Sequence, residues 1–208
     1  MKRNIKSFIL LILLFITFII ITINSYASTI SNNLHENFFR LHIIANSNSN
    51  IDQDLKLKVR DNIIIYMKEI TQNISTKQEA INICNKHINN FKQIALNTIK
   101  EEGFNYDVSL SIGEFSFPTK HYGNISLPAG NYDALKIEIG NAVGENWWCS
   151  LFPPLCFVDM SSGMIDDNSK KILNENLSEE DFAIITSNSE DIKFKFKIIE
   201  FLNDKNIL

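Results

Sequence analysis

The chain has 208 residues, 45% of them hydrophobic and 21% charged, a composition that fits a folded protein with a substantial core and not a disordered or low-complexity one. The formal net charge is −4. Lys2, Arg3 and Lys6 lie at the very start, so the remainder is more acidic still, which argues against nucleic acid as a partner and against electrostatic adhesion to an anionic membrane.

After that basic start, Phe8 to Ile23 is an apolar run broken only by Thr17 and Thr22. Ser25-Tyr26-Ala27 then places small residues where a signal peptidase reads them, with cleavage expected between Ala27 and Ser28. The stretch from Ile5 to Ile23 also approaches the ~20 residues that span a bilayer as a helix. Residues 1–27 are therefore a signal peptide or an uncleaved membrane anchor. Either reading puts residues 28–208 outside the cytoplasmic membrane as one exported domain, with membrane contact only through the N-terminal segment.

Phe38 to Ala45 reads as a strand, with Leu41 and Ile43 alternating against Arg40 and His42. The Asn/Ser-rich stretch from Asn46 to Asn50 breaks it and leads into a helix, with Asp52 and Asp54 in the first turn, where acids suit the helix dipole. Leu55, Val59, Ile63, Tyr66, Met67 and Ile70 mark one face of that helix. A second helix starts after Thr76, with Glu79 as its capping-box partner. Ala80, Cys84, His87, Ile88, Phe91, Ala95 and Ile99 form its apolar stripe, and Gly103 ends it. The two helices are expected to form a hairpin.

From Phe104 the period changes to two. Val108, Leu110 and Ile112 alternate with serines, and Phe115 and Phe117 extend the strand to Pro118. Thr119 to Gly130 is expected to be a loop, and Tyr132 to Ile139 another strand. Gly144 to Asp159 comes next, holding both tryptophans, two of the three cysteines and two of the four prolines. This composition predicts a stiff, special-purpose loop with a large apolar surface. Adjacent Trp147 and Trp148 point to opposite faces if locally extended, one toward the core and one outward. Which faces outward stays open. Beyond Ser161 the chain is polar to Asp181. Residues 192–202 fit a strand through Ile192, Phe194, Phe196 and Ile198, or a helix through Phe194, Ile198, Phe201 and Leu202; a C-terminal helix is preferred. The expected architecture is α+β: a single exported domain, with the helical hairpin packed on a small, mainly antiparallel sheet and a Trp/Cys/Pro-rich loop.

Cys84 lies on a helical stripe and is expected to pack as a small hydrophobe. That leaves Cys149 and Cys156 as the candidate disulfide of an exported chain. The competing reading is a thiol nucleophile at Cys149 with His42 or His121 as its base. His35, His42, His87 and His121 stand alone without zinc-ligand spacing, so neither a metal nor another cofactor is expected. An exported envelope hydrolase using His121, Glu145 and Asp159 is a further alternative, and a structural envelope protein another.

Several blocks carry a resemblance. Arg40-Leu41-His42-Ile43-Ile44-Ala45-Asn46-Ser47 and Asp52 to Asp61, followed by Phe117 to Gly123, Leu127 to Tyr132 and Gly144 to Asp159, resemble in order the stage II sporulation protein R family. The resemblance implies a protein made in the forespore and exported into the space between the two septal membranes. There it would signal to a membrane-embedded aspartic protease of the mother cell, which removes the pro-sequence of a sigma factor. It implies a signal and not an enzyme, so no catalytic residue is expected. The candidate contact residues are Trp147, Trp148, Phe152, Pro153 and Pro154, with packing of these aromatics into the domain's own core as the alternative, followed by Arg40, His42 and Asn46, for which buried polar roles inside the fold are the alternative.

Overall fold

The computed structural model describes residues 2–72, 74–157 and 167–186. Asp159 and the 192–202 segment lie outside the described residues.

A long helix α1 (Lys2–Asn37) leads into β1 (Phe39–Ile44), and helices α2 (Asn50–Ile70), α3 (Lys77–Lys86) and α4 (Ile88–Glu101) follow. Strand β2 (Val108–Phe117) comes next, then β3 (Lys120–Tyr122), β4 (Ile125–Leu127), β5 (Gly130–Ile139) and β6 (Asn146–Phe152). A 3-10 turn (Leu155–Phe157) and helices α5 (Asp167–Asn176) and α6 (Glu179–Thr186) complete the described chain. The fold is α+β, as its sequence pattern indicates. The main sheet has the order β2-β5-β1-β6, with β1 parallel to β5 and the other two pairings antiparallel.

The helical layer forms for local reasons. Ser49 caps α2 by accepting from Asp52 N at 3.2 Å. Thr76 and Glu79 form the expected capping box at the start of α3. The single second helix read from the sequence is two: the chain leaves helical geometry at His87, whose ring meets Tyr66 Oη at 2.6 Å. Gly103, at φ +84°, closes α4, and Phe104 N reaches back to Ile99 O at 3.0 Å. Leu55, Val59, Ile63, Met67, Ala80, Cys84, Phe91, Ala95 and Ile99 are all buried, as their spacing indicates. They pack against Leu41, Ile43, Leu135, Ile137 and Cys149 on one face of the sheet.

The other face carries a second cluster: Leu34, Phe38, Phe117, Leu127, Tyr132, Leu155, Leu173 and Ile185. The sheet is thus covered on both sides, and β1 is buried almost throughout. Arg40 and His42 point into the second cluster, not into solvent.

Thr119 to Gly130, read as a loop, contains the β3–β4 hairpin, with Lys120 opposite Leu127 and Tyr122 opposite Ile125. Gly123, at φ +59°, supplies the turn between the strands. The polar stretch before Asp181 holds α5 and the start of α6, where Ser178 Oγ accepts from Asp181 N at 3.0 Å.

Helix α1 runs unbroken through Ala27 and Ser28, although side chains at those two positions are outside the described ones. Phe8 to Ile23 expose their apolar side chains along it, while Leu34 is buried in the domain. Among the described residues no helix is long and apolar enough to cross a membrane.

Candidate functional site

The Trp/Cys segment divides into a strand and a turn. Its first half is β6, which among the described residues is an edge strand paired only with β1, with His42 opposite Trp148 and Ile43 opposite Trp147. The expected loop is confined to the residues after Phe152: Pro153 and Pro154, then the 3-10 turn, with a cis peptide between Phe152 and Pro153. The strand forms because backbone pairing to β1 and burial of Cys149, Ser150, Leu151 and Phe152 fix an extended conformation that composition alone does not signal.

Trp147 and Trp148 do face opposite sides, but both are half-buried, so neither is wholly core nor wholly exposed. Trp147 turns to the helical layer, where the Arg60 guanidinium lies 4.2 Å from its ring centroid. Its Nε1 is buried and has no partner among the described residues, at a cost on the order of 1–3 kcal/mol for an unsatisfied donor. Trp148 turns to the other face, stacks on His42 at 3.7 Å and meets Phe117 edge-on at 4.7 Å. Phe152 and Pro153 are buried and Pro154 is half-buried. Phe152 is a core residue here, not a projecting anchor.

Cys149 and Cys156 form a disulfide with Cα atoms 5.3 Å apart. It fixes the turn against the strand, and the Cys156 sulfur lies 3.0 Å from Ser150 O. That contact is not a hydrogen bond, because the bridged sulfur carries no proton. The thiol-nucleophile reading has no thiol at Cys149 in this state. Cys84 remains free and buried, and burial pushes its thiol up to about 12.

Arg40 sits directly beneath β6 with no exposed surface. Its Nη2 donates to Tyr122 Oη at 2.6 Å and its Nε to Cys149 O at 3.4 Å. The guanidinium also lies 4.2 Å from the Phe117 centroid and 4.9 Å from that of Tyr132. Aromatic faces and neutral acceptors hold this buried charge; Nη1 has no partner among the described residues. Burial raises the Tyr122 hydroxyl above its usual range, although Arg40 opposes the shift. Tyr122 therefore stays a neutral donor and reaches Trp148 O at 3.4 Å. Arg40 thus ties the β3–β4 hairpin to the edge of the main sheet.

His42 Nε2 meets Asn146 Oδ1 at 2.7 Å. The amide oxygen only accepts, so the proton lies on Nε2. Burial holds the His42 ring below its usual range, only partly offset by that hydrogen bond, so it is neutral near pH 7. Asn46 is a structural clamp away from the tryptophans. It donates to Asp52 Oδ2 at 2.9 Å and accepts from Asn141 N at 2.9 Å. Burial pushes the Asp52 carboxyl up, but hydrogen bonds from Ser47, Asn46, Tyr106 and Ser49 outweigh it and hold the group below the usual carboxylate range.

These elements enclose a groove of about 760 Å³ along β6. One wall is the α2 surface from Arg60 to Ile65, and the other is the hairpin from Lys120 to Gly123. The floor is Asn146 to Cys149, closed at one end by Leu155 and Cys156. Arg60 Nε donates to Asp61 Oδ1 at 2.7 Å, and Ile65 is 64% exposed at the rim. Of the hydrolase candidates, His121 lines the groove but is engaged with Ser126 Oγ at 2.7 Å. Glu145 is exposed outside it, where its backbone oxygen accepts from Lys56 Nζ at 2.9 Å. Among the described residues no three His, Cys, Asp or Glu side chains gather as a metal site. Sequence reasoning missed Arg60, Lys120 and Tyr122 as groove residues. The only signal was the Phe117-to-Tyr132 aromatic density, because contacts between α2, the hairpin and β6 join segments far apart in the chain.

The family model for stage II sporulation protein R matches residues 35–162. Stage II sporulation protein R of Bacillus subtilis (strain 168) is 38% identical over 181 residues, covering 79% of this chain and 80% of that protein. No solved structure matches the chain. The family match spans every groove residue and both tryptophans and ends before α5. The chain belongs to the stage II sporulation protein R family.

Proposed function

Starting from that membership and its role in sporulation, we propose that this chain is an exported signal that activates a membrane-embedded aspartic protease of the mother cell. The activated protease then removes the pro-sequence of a mother-cell sigma factor. The basic start and the apolar run from Phe8 to Ile23 direct the domain out of the forespore into the space between the septal membranes. There it acts secreted, or tethered by the same segment. The chain is a ligand and not itself a protease.

The observation that carries the reading is the groove along β6, whose floor holds the two half-buried tryptophans. Aromatic side chains beside Ile64 and Ile65, with Arg60, Asp61 and Lys120 as charged neighbours, are the composition of a protein-binding hot spot. Activation needs no chemistry from this chain. A ligand that binds the active arrangement of its partner more tightly than the inactive one shifts the partner's population by that affinity ratio.

Co-expression of this chain, the protease and the sigma precursor in a non-sporulating host tests the reading. Cleavage that requires all three supports it. Cleavage that proceeds equally without this chain, or none with the full set, overturns it.

A further inference from the structure

The hydrogen-bonding pattern of β6 says how the groove is filled. Ala45 N donates to Glu145 O at 3.4 Å, and the antiparallel register pairs Ile43 with Trp147 and Leu41 with Cys149. Alternation then turns the backbone groups of Trp147 and Cys149 toward β1 and those of Asn146, Trp148 and Ser150 away from it. The contacts on the outer side agree: Tyr122 Oη reaches Trp148 O, and the Cys156 sulfur lies against Ser150 O. No strand pairs with β6 on that side among the described residues. The Asn146 N–H and C=O and the Trp148 N–H are therefore ladder groups directed into the groove.

We propose that the groove takes an extended segment of the partner protein as an added strand beside β6, carrying an apolar side chain and a carboxylate. The clear run from Asn146 to Trp148 accommodates about three partner residues, roughly 10 Å of strand. The apolar side chain fits between Ile65 and the tryptophans, and beside that position the buried Trp147 Nε1 is a donor with no acceptor among the described residues. The acidic preference follows from charge. Arg60 and Lys120 against Asp61 give the lining a net positive balance on a chain whose total is −4. A cationic segment would meet two like charges and an Asp61 already engaged by Arg60. Specificity then comes from alternate side chains, while backbone bonds supply affinity that depends little on sequence.

This inference rests on the partner reading above, so its test separates the two. Twelve-residue synthetic peptides tiling the outward-facing segments of the protease are titrated against the full chain in mild detergent, read by tryptophan fluorescence. The three-component cleavage assay runs in parallel. The expected result has three parts. At least one acidic, apolar peptide binds. N-methylation of its alternate amides abolishes binding while methylation of the intervening amides does not. Ile65→Glu and Lys120→Glu each weaken binding at least tenfold with an unchanged unfolding temperature. Binding indifferent to which amides are methylated overturns strand addition but leaves the partner reading intact. So does cleavage by the intact protease when no peptide binds, or self-association of this chain that Ile65→Glu abolishes. Failure of cleavage itself brings down the partner reading and this inference with it.

Discussion

Reducing the Cys149–Cys156 bridge should loosen the turn without unfolding the domain. The two cysteines are separated by 7 positions, and the loop-closure entropy of so short a ring is about 2.5 kcal/mol at 25 °C. Pro153 and Pro154 already restrict the unfolded loop, each by up to about 1 kcal/mol, so the net loss is roughly 1–2 kcal/mol. For a chain of this size that lowers the unfolding temperature by about 2–8 °C. The assay is thermal unfolding of the full chain in mild detergent, with and without reductant. Thiol alkylation read by mass spectrometry confirms reduction. Cys156 is half-buried whereas Cys84 and Cys149 are buried, so Cys156 should be alkylated first in the folded, reduced protein. A shift below about 1 °C with both thiols confirmed would show that the bridge does not constrain the unfolded chain. A shift beyond about 12 °C would show that it supports the whole core and not one turn. Replacing both cysteines should be no worse than replacing either one, because a single change strands a free thiol beside Ser150.

Tyr122→Phe should cost about 1.5–3 kcal/mol in urea unfolding, since it removes the hydroxyl that accepts from a buried guanidinium; a cost below about 0.5 kcal/mol would mean that water takes its place, again on that scale. Gly144→Ala should cost about 1–3 kcal/mol, because the new methyl overlaps Ser47 O and lies 2.9 Å from the Ala45 Cβ; its urea midpoint should fall while the midpoint of Ile65→Glu stays put. Stability should also decline on acidification. Burial, aided by Lys77 and Arg40, lowers His35 to about 4, and burial lowers His42 too. Both rings are neutral in the fold, so their contribution is complete above the unfolded value of about 6.5 and fades as pH falls toward the folded one. Urea midpoints at pH 7.5, 5.5 and 4.5 check this, and His35→Gln should flatten the slope.

The helical layer, apart from the break at His87, was legible because its information is local. Thr76 with Glu79, and Gly103, mark helix ends, and spacings such as Leu55-Val59-Ile63 name the buried face directly. The second face of the sheet was not. Arg40 and His42 alternate with Leu41 and Ile43 as solvent-facing residues do, and nothing in that pattern reveals that Phe117, Tyr132 and Trp148 return from far along the chain to cover them. The β3–β4 hairpin escaped for a related reason. Three-residue strands carry too few side chains to display a period. The tryptophan pair was placed on two faces correctly, but the depth of each depended on Arg60 and His42, which sequence adjacency does not connect.

Those two partners also explain why the segment is built as it is. Trp147 packs with the helical layer and Trp148 with the aromatic layer on the opposite face, so one pair of adjacent residues touches both cores. A displacement of β6 is therefore felt on both sides of the sheet. Arg40 limits that displacement from below by bonding Cys149 O and the Tyr122 hydroxyl at once, and the disulfide limits it from the end. A buried arginine with no carboxylate partner among the described residues costs desolvation that an apolar residue would avoid, so stability alone does not account for it. Its geometry accounts for something narrower. The planar guanidinium holds the edge of the sheet and the hairpin at a fixed separation, and so sets where one wall of the groove stands against its floor. Arg40→Met should therefore preserve most of the fold while weakening any ligand that depends on the position of that wall, a combination that a purely structural arginine would not give.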